Sequence, residues 1–129
     1  MANSSMKFLN MIVIFLVLIS QGNSITECTL RSLSVSQSMT GVKVQGKPEW
    51  SVSITNTCPC AQRMVYLNCT DFQTSEPITP SVLTVSPNGI CILNSGQPIV
   101  YNSPFRFKYA WDHSSALIPI SSLIDCYKM

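Results

Sequence analysis

Charge is scarce in this sequence, and its absence excludes more than its presence suggests. Only 11% of the 129 residues are charged: eight basic, six acidic, with a single histidine. No cluster of Lys and Arg advertises nucleic acid or an anionic membrane as a partner. The lone His113 lies in Asp112-His113-Ser114-Ser115, where neighbouring side chains diverge and cannot assemble a triad. The carboxylates Glu49, Asp71, Glu76 and Asp112 lack any spacing that suggests a glycosidase pair. No two basic residues are adjacent, so no dibasic processing step is expected. Sustained helical periodicity, internal repeats and low-complexity tracts are also missing. The expectation is a protein that is not an enzyme and needs no cofactor.

One apolar run stands apart. Residues 8–19 are mostly apolar, Lys7 is the only charge before them, and Ser20, Gln21 and Gly22 close the run. A membrane span needs ~20 apolar residues, so this reads as a secretory signal cleaved after Gly22 or Ser24. The expected organisation is a signal peptide over residues 1–24 and a single cysteine-rich domain over 25–129. Export leads to the extracellular space, with no membrane attachment after cleavage.

All six cysteines, Cys28, Cys58, Cys60, Cys69, Cys91 and Cys126, follow the leader. An even count behind a signal reads as three disulfides. Their density falls below the ~8–10% of scaffolds that are mostly disulfide, so the bridges should reinforce a hydrophobic core. Six cysteines allow about 15 pairings, and strain across Cys58-Pro59-Cys60 removes a few. No metal site is expected: the spacing is not C-x2-C, only His113 adds an imidazole, and exported thiols oxidise.

Period two dominates the mature chain. Over residues 50–56, Trp50, Val52 and Ile54 alternate with Ser51, Ser53 and Thr55; over 105–112, Phe105, Phe107, Tyr109 and Trp111 alternate with Arg106, Lys108, Ala110 and Asp112. Both are half-buried strands. Weaker candidates are 33–37, 42–45, 64–69, 82–85, 90–93, 99–101 and 117–124, the last with room for a helical turn over 119–124. Turn formers such as Gly46-Lys47-Pro48, Pro87-Asn88-Gly89 and Asn102-Ser103-Pro104 recur about every ten residues, which predicts a small all-β, disulfide-stabilised β-sandwich of about eight short strands. The sequon Asn68-Cys69-Thr70 makes Asn68 a glycosylation candidate. Strand phase puts Asn68 outward and Val65, Leu67 and Cys69 inward.

The run from Thr40-Gly41-Val42 through Gly46-Lys47-Pro48-Glu49-Trp50-Ser51-Val52-Ser53-Ile54-Thr55-Asn56 into Cys58-Pro59-Cys60 resembles the tapetum determinant family of plant secreted proteins. So do Phe72-Gln73-Thr74 after Cys69, Cys91-Ile92-Leu93-Asn94-Ser95-Gly96-Gln97-Pro98-Ile99, and Phe107-Lys108-Tyr109-Ala110-Trp111-Asp112. The resemblance covers about residues 28–126. It implies an extracellular signalling ligand for a leucine-rich-repeat receptor kinase, acting in cell-fate specification such as anther development. Three polar loops suit receptor contact, 41–49, 71–81 and 112–115, with Lys43, Lys47, Glu49, Asp71, Gln73 and Glu76 as the contact candidates. A fainter likeness of layout, to carbohydrate-binding modules of plant cellulases, gives the alternative of a non-catalytic module on cell-wall polysaccharide. Trp111 and Tyr109 are then the sugar-contact candidates, although the aromatic row is expected to be core with Trp111 as the exception.

Overall fold

A computed structural model describes residues 28–126; the leader read over 1–24 lies outside the described residues. Thr29 accepts from the backbone N–H of Arg31 and exchanges capping bonds with Ser32 around a short 3-10 turn, Leu30–Ser32. Seven strands follow: β1 Leu33–Val44, β2 Lys47–Asn56, β3 Ala61–Asn68, β4 Leu83–Val85, β5 Ile90–Leu93, β6 Phe105–Ala110 and β7 Ile118–Asp125. They form two antiparallel sheets, one ordered β1-β2-β6 and the other β4-β5-β3-β7. The protein is thus an all-β sandwich.

The expected period is kept. Val52 and Ile54 from one sheet meet Val65, Leu67, Leu83, Cys91 and Leu93 from the other, all buried, with Phe107 and Tyr109 beside them. Burying side chains of this size stabilises by ~1.5–3 kcal/mol each. Phe72, from the loop after β3, packs edge-to-face on Tyr109 at 5.1 Å between ring centroids. Gly96 is a position only glycine fills: its φ is +81°, and a Cβ there would lie 2.6 Å from Met64 Sδ.

Several boundaries differ from the sequence reading. Segments 33–37 and 42–45 are one strand, bent by a bulge between Met39 and Lys43 where Gly41 has φ +92°. The hairpin turn is Gln45–Gly46, both at positive φ, as a two-residue primed turn requires. Strand β2 therefore starts at Lys47, before the expected turn residue Pro48. Residues 99–101 make only isolated bridges, Ile99 with Gln62 and Tyr101 with Asn56. Over 119–124 the chain is strand, because β7 pairs with β3 along an edge that tolerates Pro119.

The bridges are Cys28–Cys58, Cys60–Cys126 and Cys69–Cys91, closing sequence separations of 30, 66 and 22 residues. Loops of that size restrict the unfolded chain by ~2–4 kcal/mol each. The first two sit together at the end of the sandwich where β2 finishes. Beside them, fully buried Asn56 donates from Nδ2 to the carbonyls of Cys60 and Ile99, both at 2.9 Å, and accepts from the Cys58 N–H at 3.0 Å. Gln62, equally buried, donates to Asn56 Oδ1 at 3.2 Å and accepts from Ser122 Oγ at 2.6 Å. Polar groups in a core are tolerated when satisfied in this way.

Candidate functional site

The opposite end of the sandwich gathers the three polar loops. Lys47, at the start of β2, holds Asp112 through both carboxylate oxygens at 3.0 and 3.1 Å, and its ammonium lies 4.8 Å above the Trp111 ring. Trp50 Nε1–H donates to the Trp111 carbonyl at 3.3 Å. The loop after β3 is stitched to the same end: Ser75 N–H donates to the Ala110 carbonyl at 2.9 Å, Ser75 Oγ to the Val44 carbonyl at 2.9 Å, and Ala110 N–H to Thr74 Oγ1 at 3.0 Å. The hairpin, the 71–81 loop and the 112–115 loop therefore form one surface.

Within it the six contact candidates separate. Lys43, Asp71 and Gln73 are exposed, and Lys47 and Glu76 half-buried. Glu49 is only 7% exposed and accepts from Thr40 Oγ1 at 2.7 Å. The Thr40 hydroxyl, then the Glu76 carboxyl, hold Glu49 below the ordinary carboxylate value, whereas burial and then the hydrogen bond and charge of Glu49 push Glu76 above it. Lys108 attenuates the rise on Glu76. Glu76 Oε1 is a buried oxygen with no hydrogen-bond partner among the described residues, a setting that disfavours its charged form. Glu49 is thus an internal group bonded to Thr40, while Glu76 is half-buried on the loop beside it.

The aromatic row is core. Tyr109 is 0% exposed; its hydroxyl donates to Gln37 Oε1 and accepts from the Ser115 N–H at 2.7 Å, and burial raises its pKa. It cannot stack on a sugar, while Trp111 remains half-buried at the loop end. Asn68 is exposed on β3, and the sulfur of Cys69 is turned inward and bonded to Cys91. A shallow cleft of about 350 Å³ lies between Leu30, Arg31, Leu33, Ile118 and Pro119. Sequence reasoning missed the Asn56–Gln62–Ser122 network and the Thr40, Thr74 and Ser75 stitches. Asn56 carried a signal, since it falls in phase with inward Val52 and Ile54.

The matched family model, "Tapetum determinant 1, C-terminal", covers residues 29–127. The chain belongs to the tapetum determinant 1 family. It is also similar to an uncharacterized Arabidopsis thaliana protein, 30% identical over 124 residues, covering 94% of this chain and 96% of that one. No solved structure matches it significantly. In this tapetum-determinant-like chain the family match spans both sheets, all three loops and five of the six cysteines, from Cys58 to Cys126, beginning one residue after Cys28. Among the described residues no helix is long and apolar enough to cross a membrane.

Proposed function

We propose that this chain is an exported, non-enzymatic signalling ligand, released by cleavage after Gly22 or Ser24, that docks its loop end on the ectodomain of a leucine-rich-repeat receptor kinase. The observation that supports this reading is the convergence of three polar loops on one pre-ordered surface, where Lys43, Asp71 and Gln73 stay free to make contacts. Loops already held by hydrogen bonds and an ion pair lose little freedom on binding, which favours affinity. Family membership supports the choice of a signalling role over a catalytic one.

A binding assay against a panel of leucine-rich-repeat ectodomains tests it. The exported chain is expected to bind at least one. Saturable retention on cellulose or xyloglucan that Trp111→Ala abolishes, with no ectodomain bound, would instead establish the polysaccharide-binding alternative.

A further inference from the structure

The outer face of the four-stranded sheet is not the polar face that a sandwich normally gives to water. Directly opposed residues of antiparallel strands share a face. Asn68 stands between Ile90 on β5 and Ile118 on β7, and the next row is Ser121, Tyr66, Ile92 and Thr84. Neither row carries a charge. Ile118 is 54% exposed and Ile120, beside it on β7, 41%. Exposed apolar surface on an edge strand invites association, and at its centre is the side chain of a sequon.

The geometry at Asn68 suits modification. Asn68 Oδ1 accepts from both the Thr70 N–H at 3.1 Å and Thr70 Oγ1–H at 2.7 Å. Among the described residues no protein group accepts from Nδ2, and the residue is exposed. Cys69, at the middle position, points to the other side of the strand, where it is buried and bonded to Cys91.

We infer that Asn68 carries an N-linked oligosaccharide that covers the apolar outer face of the four-stranded sheet. The inference rests on the reading that the chain is exported. In the transfer, Asn68 Nδ2 bonds to C1 of the first sugar of a polyprenyl-diphosphate-linked oligosaccharide. The bond from C1 to the diphosphate oxygen breaks, the diphosphate leaves with the electron pair, and one Nδ2 proton passes to a carboxylate of the transferring enzyme. The glycan then lies over Ile90, Ile118 and Ile120 and keeps this face from pairing with a second copy.

Expression of the full chain in plant cells, with protein collected from the medium, tests this. Digestion with peptide-N-glycosidase A should lower its mass and convert Asn68 to aspartate in the peptide spanning it. Asn68→Gln and Thr70→Ala should both remove the shift, and Thr70→Ser should keep it. Glycan-free protein should bind a hydrophobic dye several-fold more and sediment as larger species. Adding Ile118→Thr with Ile120→Thr to Asn68→Gln should return both readouts to those of the glycosylated chain. No chain in the medium overturns export and the glycan together, whereas secreted chain of unchanged mass overturns the glycan alone. A glycan whose removal changes neither dye binding nor sedimentation overturns its role as a cover.

Discussion

The two sheets turn chemically opposite faces outward. On the three-stranded sheet, Ser36, Ser53 and Arg106 form one cross-strand row and Ser38, Ser51 and Lys108 the next, with Ser34 opposite Thr55. Water satisfies that face directly. On the four-stranded sheet the corresponding rows are built on Ile90, Ile92, Tyr66 and Ile118, with Asn68 the polar member of the first row and Thr84 and Ser121 those of the second. One sheet separates inside from outside by alternation, and the other is apolar on both sides of much of its surface. The lesson is that burial in the core does not by itself set the outer chemistry of a strand, and that a face without polar alternation needs another means of staying apart from its neighbours.

Substitutions in each sheet separate the shared interior from the two outer faces. The largest effect should come from the shared interior: Phe107→Ala on one sheet and Leu67→Ala on the other should each cost about 2–5 kcal/mol in denaturant unfolding, since both are buried. Equal losses would mean that the sheets differ only on their outer faces. Next, Asn56→Ala should cost about 1–3 kcal/mol by stranding buried partners at the bridged end, visible as a lower unfolding midpoint with little change in slope. Reduction of the three bridges should lower stability while leaving part of the far-ultraviolet β signal, because the core remains; complete loss of that signal on mild reduction would contradict a sandwich with its own core.

A smaller effect is expected at the loop end and depends on pH. The folded pKa of Glu76 is raised, so its contribution is complete below the unfolded value and is lost as pH rises through the folded one. The folded pKa of Glu49 is lowered, so its contribution is present above the unfolded value and is lost as pH falls through the folded one. The 71–81 loop should therefore be held best in the window between the two, where Glu76 is protonated and Glu49 ionised. Hydrogen exchange in that loop should quicken above the window in the native chain, and Glu76→Gln, which donates at every pH, should flatten that rise. The smallest effect is expected from Ser36→Ala with Ser53→Ala, which should shift stability by no more than about 0.5 kcal/mol.

What could be read beforehand follows the same division. Segments 50–56 and 105–112 gave the clearest alternation, and both belong to the sheet whose outer face is polar. The strands Ile90–Leu93 and Ile118–Asp125 offered only short apolar runs, because Ile90 and Ile92 face out while Cys91 and Leu93 face in. The disulfide pairing was not legible, since it is set by which strand ends the fold brings together. In the candidate site, exposure of Lys43, Asp71 and Gln73 followed from loop polarity. The withdrawal of Glu49 and Glu76 into a carboxyl pair did not, because it needs Thr40, Ser75 and Ala110 to carry one loop across to a strand 27 residues earlier in sequence, from Glu49 to Glu76. The phase of Asn68 was legible from Val65 and Leu67, but the apolar company it keeps depends on strands β5 and β7 arriving on either side.

The most direct test of the account is the affinity of the exported chain for a leucine-rich-repeat ectodomain, measured for the native protein beside two variants. Lys43→Ala with Asp71→Ala and Gln73→Ala alters the loop end; Ser36→Ala with Ser53→Ala alters the hydroxyl face. The account predicts that the loop-end variant stays folded and loses most of its binding while the hydroxyl-face variant keeps it. Binding unchanged in the loop-end variant, or absent for every ectodomain with the native chain, would contradict it.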